Sequence, residues 1–302
     1  MSAEYHQPVM LNETLDAMEI KPDGVYVDVT FGGGGHSREI LKRLGPNGKL
    51  FGFDQDPDAW SNAPNDDRFT LIDQNFGFLA NWLRMHKVRA VDGILGDLGV
   101  SSHQFDSDAR GFSIRYDAPL DMRMDQSRSL TATEVVNDYT VERLTEVLRQ
   151  YGELRNAWQV AKAIVKQRPL QRSGELMRSI QMFAPRGAEH KFNAQVFQAL
   201  RIEVNEELEV LKQMLQQAAT LLKPGGRLVI ISYHSLEDRL VKDFFRSGNF
   251  EGVPDKDFFG NLSRPLEPVH TKPLVPTEDE IQRNTRARSA KLRTATKLDL
   301  NE

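Results

Sequence analysis

The chain has 302 residues, 39% of them hydrophobic and 27% charged, with a net charge of −4 and no cysteine. That length suffices for one large domain or two modest ones, and the composition is that of a globular protein rather than a fibrous, membrane-spanning or disordered one. Without cysteine there is no disulfide, no thiolate-held zinc or iron–sulfur centre and no thiol to add across a pyrimidine ring; no metal is expected, and if the chain transfers a methyl group the acceptor is expected to be a heteroatom that attacks directly.

The first residues, Met1 to Pro8, carry neither the basic nor the apolar region of a secretion signal, which predicts a cytoplasmic protein with no membrane segment. Val25–Thr30 is apolar and β-branched and reads as a first strand, followed by four glycines and a helical stretch from Ser37 to Leu44. A second strand is expected at Lys49–Phe53, with a helix opening at Pro57. Phe69–Ile72 gives a third strand, Phe76–Met85 a helix, and Val91–Leu95 a fourth strand. Strands and helices alternating on short connections predict a mainly parallel sheet with helices on its faces.

That rhythm stops near Phe105. Thr140–Gln150, Asn156–Lys166 and Gly174–Phe183 read as amphipathic helices, with no comparable buried strand between 105 and 205. A long helix, Glu206–Leu222, ends at Lys223-Pro-Gly-Gly, and Arg227–Tyr233 supplies a further strand before a helix from Leu236 to Phe245. The expected organisation is therefore a sheet domain in two parts, 1–105 and 206–302, interrupted by an inserted helical domain over 106–205. Phe250–Thr277 reads as an irregular loop. From Ile281 to Lys297 come Arg283, Arg286, Arg288, Lys291, Arg293 and Lys297 without an acid, which suits either an RNA contact or a solvated tail.

The most informative segment is Val25-Tyr-Val-Asp-Val-Thr-Phe-Gly-Gly-Gly-Gly-His36, where a strand runs through glycines into a helix and lets backbone approach a ligand. Twenty residues past Gly34, Asp54 ends the second strand, where a carboxylate accepts from both ribose hydroxyls of an adenosine. Dinucleotide enzymes share that pair of features. Two points favour S-adenosylmethionine instead: the G-x-G-x-x-G spacing is absent, and Asp97 ends the fourth strand at the edge where such sheets bind ligands. Phe76 is placed either against an adenine or in the core. His234, after the fifth strand, is a candidate to take a proton or to cap the next helix, and Tyr233 to stack on a base. Glu237 and Asp238 suit the first turn of that helix. Pro119–Met124 alternates like an extended strand, with Asp121 and Arg123 on one face lining an RNA entrance or forming a hinge.

Over nearly its whole length the chain resembles the bacterial small-subunit (16S) ribosomal RNA cytosine-N4 methyltransferases. The resemblance rests on His6-Gln-Pro-Val-Met-Leu-Asn-Glu13, Thr30-Phe-Gly-Gly-Gly-Gly-His-Ser37, Asp97-Leu-Gly-Val-Ser-Ser102, Arg110-Gly-Phe-Ser-Ile114 and Pro119–Met124. It continues through Tyr151-Gly-Glu153, Phe197–Asn205, Ser232-Tyr-His-Ser-Leu-Glu-Asp-Arg239 and Arg286–Arg293. It implies a class I, Rossmann-like methyltransferase fold interrupted by a helical RNA-recognition domain, and S-adenosylmethionine as cofactor. The implied acceptor is the N4 amine of a cytosine in the decoding region of 16S ribosomal RNA, met within the small subunit. Carried over residue by residue, the cofactor site is Gly34, Gly35, His36, Asp54, Phe76, Asp97 and Gln104, with Asp97 and His234 the candidates for the transfer step. A homodimer is compatible with this reading. The chain departs from the family at Gly33, His103 and Gln195; the first and last replace frequent arginines. The rival from another class is an RNA-binding assembly factor that keeps the fold without catalysis; it predicts no tight binding of S-adenosylmethionine.

Overall fold

In the computed structural model, the described residues are 8–101, 104, 110–256, 260 and 262–299. Parts of three motifs fall outside them: residues 6–7, Ser102 and His103. The chain divides into two compact units, 1–99 with 209–302, and 100–208.

The first unit is built on a seven-stranded sheet of order β3-β2-β1-β4-β5-β7-β6. The strands are β1 Val25–Asp28, β2 Lys49–Phe53, β3 Phe69–Ile72, β4 Val91–Asp97, β5 Leu222–Ser232, β6 Leu266–Pro268 and β7 Lys291–Lys297. β1 to β5 are parallel, and β7 runs antiparallel to both β5 and β6. This is the class I methyltransferase arrangement. The order in which strands are added switches sides between β1 and β4, and sheets of this kind bind ligands beyond the carboxyl ends of the strands at such a point.

The parallel strands are mostly apolar because both faces are covered. Val27, Phe51, Phe53, Ile94, Leu228 and Ile230 face one core, with helices α4 (Leu79–Met85), α10 (Glu207–Leu221) and α11 (Ser235–Ser247) contributing Leu83, Leu215 and Phe244. Their neighbours Tyr26, Leu50, Leu95, Val229 and Ile231 face the other, against Leu15 and Met18 of α1 (Leu11–Met18) and Ile40 and Leu41 of α2 (Gly35–Arg43). The alternation is the period of two of a strand. A short helix α3 (Pro57–Trp60) starts at Pro57, capped by Asp56.

Part of the basic run Ile281–Lys297, expected as an RNA contact or a solvated tail, is the strand β7. Arg293 Nε lies 2.6 Å from Asp238 Oδ1 and Lys291 Nζ 3.1 Å from Asp238 Oδ2, so two of the six cations neutralise an acid of α11. Lys223-Pro-Gly-Gly also lies within β5, at an irregularity in its pairing with β4, instead of between helix and strand.

The second unit is helical: α5 (Ala132–Asp138), α6 (Val141–Gln150), α7 (Ala157–Lys166), α8 (Ser173–Ile180) and α9 (Glu189–Asn205) enclose Leu120, Val136, Leu148, Ile164, Leu176 and Leu200. Capping fixes their starts, by Thr131 and Glu134 at α5 and by Thr140 at α6. Pro119–Met124 is not an extended strand. Met122 is left-handed at φ 62° and fully buried with Leu120, while Arg123 grips Asp121 through two bonds of 2.8 Å. The segment is a packed turn, and its charges satisfy each other.

Among the described residues, no helix is long and apolar enough to cross a membrane.

Candidate active site

The carboxyl ends of β1, β2, β4 and β5 bring Asp28, Asp54, Asp97 and Tyr233 to one edge of the sheet. Each is held by the geometry of its strand end. Asp54 follows β2, and its Oδ2 accepts from Gly32 N at 2.7 Å while Oδ1 accepts from Asp56 N at 2.8 Å. Burial pushes this carboxyl up to about 6, against the pull of those two amides. Each oxygen keeps a second lone pair, so the group retains the capacity to accept from a vicinal diol.

Asp97 closes β4. Its backbone N donates to Thr30 Oγ1 at 2.6 Å, and its Oδ1 accepts from Tyr233 Oη at 2.7 Å. Burial pushes it up to about 7, with Glu237 adding repulsion and the tyrosine hydroxyl opposing both. The same burial, with Asp97 close by, drives Tyr233 well above the ordinary tyrosine value, so it stays a donor.

Asp97 Oδ2 lies 3.8 Å from His36 Nδ1. His36 places Nε2 3.0 Å from the carbonyl of Val9, which fixes the proton there, and burial lowers its pKa although Asp28 opposes this. A neutral ring therefore turns a bare nitrogen toward Asp97. Sequence reasoning missed Asp28 itself. It is 2% exposed, accepts from Ser37 Oγ at 2.7 Å and from Thr30 N at 3.1 Å, and burial raises it. An acid closing an otherwise apolar strand was the signal available.

Among the described residues no lysine or arginine pairs with Asp28, Asp54 or Asp97. Asp28 is buried and Asp54 and Asp97 are half-buried, and acids so placed without a cation are costly unless something else supplies hydrogen-bond donors or charge. A ligand carrying hydroxyls and an ammonium group fits that need.

The glycine loop is shaped as much by this chain as by any ligand. Gly32 and Gly34 have φ of 50° and 71°, a region that side chains disfavour. A Cβ on Gly34 would meet the Phe31 ring at 2.8 Å, and one on Gly35 would meet Pro8 Cγ at 2.3 Å. Arg38 then ties the loop down, donating to Gly33 O at 2.6 Å and to Asn62 O at 3.0 Å, while Asn62 Nδ2 donates to Gly32 O at 3.2 Å. That clamp spans 24 residues and left no local signature.

Phe76 opens a 3-10 turn, Phe76–Phe78, after β3 and is half-buried against the core. Asn75 caps the turn and donates to Gln55 Oε1 at 2.8 Å, next to Asp54 in sequence. Gln104 belongs to the helical unit, where it is buried and its Oε1 accepts from Ser101 N at 3.1 Å.

His234 is the N-cap of α11. Its Nδ1 accepts from Glu237 N at 3.4 Å, and its Nε2 lies 3.1 Å from Glu237 Oε1. Glu237 Oε2 accepts from Tyr233 N in return, at 3.0 Å. Both ring nitrogens thus face the first turn of α11, and the ring caps that turn through Nδ1. Tyr233, offered as a stacking platform, spends its hydroxyl on Asp97.

Residues 3–298 match the model of the MraW methylase family. The chain is 57% identical over 298 residues to the ribosomal RNA small subunit methyltransferase H of Flavobacterium johnsoniae, covering 98% of each protein. It is 56% identical over 299 residues to the enzyme of the same name from Cytophaga hutchinsonii, covering 96% of this chain and 99% of that one. A solved structure of an rRNA methylase from Streptococcus thermophilus aligns with 98% of this chain and 100% of its own, at 12% identity and a TM-score of 0.44.

Proposed function

The chain belongs to the MraW methylase family, and on that premise we propose that it methylates the exocyclic N4 amine of a cytosine in the decoding region of 16S ribosomal RNA. Its methyl donor is S-adenosylmethionine, which supplies an electrophilic sulfonium methyl. The observation that carries the reading is the set of cation-free carboxylates at the sheet edge, the half-buried Asp54 and Asp97 foremost. They fit this donor: Asp54 accepts from its ribose hydroxyls, and Asp97 holds its ammonium group. Gly34, Gly35 and His36 line the turn between them, Phe76 lies against the adenine, and Gln104 is carried over from the family resemblance as a further cofactor contact. That unit recognises the RNA.

A cytosine amine is a weak nucleophile, because its lone pair is delocalised into the ring. Catalysis therefore rests on alignment with the methyl group and on acceptors for the amine hydrogens. A neutral amine loses its proton after the methyl arrives, so water suffices as the final acceptor. His234 acts through α11, by fixing the turn that carries Tyr233 against Asp97.

Incubation with labelled S-adenosylmethionine and small subunits lacking the modification, followed by nucleoside analysis, tests the proposal. Label in N4-methylcytidine is expected, and label in any other nucleoside contradicts it.

A further inference from the structure

Helix α7 of the second unit buries Ala157, Val160, Ala161 and Ile164 and leaves Trp158, Gln159, Lys162 and Lys166 exposed. Trp158, Lys162 and Lys166 follow each other at intervals of four, one helical turn, so they form a line about 12 Å long on one face. Trp158 is 43% exposed, although burying an indole of that size is strongly favourable. Arg155, also exposed, stands three residues before it. From Leu154 to Gly174 the sequence has no acid.

The cations around this line differ in how they are used. Arg168 donates to Val136 O at 2.7 Å, Arg172 bonds Asp117, and Arg143 bonds Glu203, so these three are spent within the unit. Arg155, Lys162 and Lys166 have no acidic partner among the described residues. An aromatic plane flanked by unneutralised cations and a side-chain amide, on a segment without an acid from Leu154 to Gly174, matches the needs of an unpaired polynucleotide strand. Bases stack on the ring, and cations follow the backbone.

We propose that the face made by Arg155, Trp158, Gln159, Lys162 and Lys166 is the single-stranded RNA contact of the helical unit, with one unpaired base stacked on Trp158. This rests on the reading of the chain as an rRNA methyltransferase and deepens it. A surface that only solvates the helix, with Lys166 complementing the dipole at its C-terminal end, leaves RNA untouched by the same substitutions.

The test uses the full chain and two readouts. First, steady-state methylation of unmodified small subunits is compared for the parent, Trp158→Ala, Trp158→Phe and Lys162→Gln/Lys166→Gln. Trp158→Ala is expected to raise KM for the subunit by about tenfold or more, the worth of one stacked base. Trp158→Phe recovers most of that loss. The double lysine variant lowers the salt dependence of binding by about 0.7 per cation removed. Affinity for S-adenosylmethionine and kcat stay at parental values in all three. Second, a protein-free single-stranded fragment of small-subunit ribosomal RNA quenches tryptophan fluorescence in the parent and fails to do so in Trp158→Phe. Parental KM in both Trp158→Ala and the lysine variant overturns the proposal. Quenching by assembled subunits but not by protein-free RNA also overturns it, in favour of a protein contact. A parent that labels no RNA at all marks failure of the underlying reading, and the surface falls with it.

Discussion

In the sheet unit, Asp28, Asp54 and Asp97 sit at strand ends with only amides, hydroxyls and a neutral imidazole around them. In the helical unit, Asp117, Asp121 and Glu203 each meet an arginine. The consequences run in opposite directions. Burial lifts the carboxyls of the sheet edge, Asp54 to about 6 and Asp97 to about 7. Burial also acts on Asp121, but the bonds from Arg123 outweigh it and hold the group below the ordinary value. A paired acid is finished structure. An acid kept buried without its counter-charge lowers stability, and persists where a ligand makes up the deficit. The contrast holds inside the sheet unit too, since Asp238 is paired with Lys291 and Arg293 and marks packing of β7.

The sharpest way to break the comparison is to remove the charge at Asp97. A folded-state value near 7, raised from 3.8, means the fold binds a proton that the unfolded chain has lost. Stability from that group is complete below about pH 4 and disappears as pH rises through 7, a difference of roughly 4 kcal/mol by pH 8. Asp97→Asn removes this penalty. Chemical denaturation should find the variant more stable than the parent at pH 8 by up to that amount, with the gain gone at pH 4. Calorimetry should find its affinity for S-adenosylmethionine reduced. Unchanged affinity with turnover abolished would move Asp97 from the donor to the amine.

Asp54→Ala comes next. Loss of a charged acceptor for the ribose hydroxyls should weaken S-adenosylmethionine binding by roughly 1.5–3 kcal/mol. Unchanged affinity by titration calorimetry would take Asp54 out of the ribose contact.

Smaller effects, of the opposite sign in stability, belong to the paired and capping groups. Asp121→Asn should destabilise the protein by about 1 kcal/mol at pH 8, because its pair with Arg123 is partly solvated. Its folded value is depressed, so the loss fades as pH falls through the acid range below 4. His234→Ala removes an N-cap and should cost about 1 kcal/mol in urea unfolding. A stability equal to the parent's would show that the cap is idle, and a hundredfold loss of single-turnover rate would return His234 to the proton transfer.

The sequence exposed the parallel half of the sheet because its strands are buried on both faces and read as apolar runs. β2 and β3 fall at Lys49–Phe53 and Phe69–Ile72, as their composition predicts. β7, Lys-Leu-Arg-Thr-Ala-Thr-Lys, was hidden because its cations look solvated until Asp238 arrives from 53 and 55 residues away. In the site, Asp54 and Asp97 were legible from their positions at strand ends. Their partners were not: Tyr233 reaches Asp97 across 136 residues, and Asn62 reaches the glycine loop across 30. The glycines themselves were read as room for a ligand, whereas at Gly34 and Gly35 that room is filled by Phe31 and Pro8.

The central claim is that Asp54 and Asp97 are held uncharged in part by burial and become fully ionised when they take the methyl donor. Titration calorimetry of the parent protein with S-adenosylmethionine at pH 6.5, in buffers of different ionisation enthalpy, measures this directly. Carboxyls near 6 and 7 should together release about one proton per cofactor bound. Binding with no proton released, or with a proton taken up, would contradict the account.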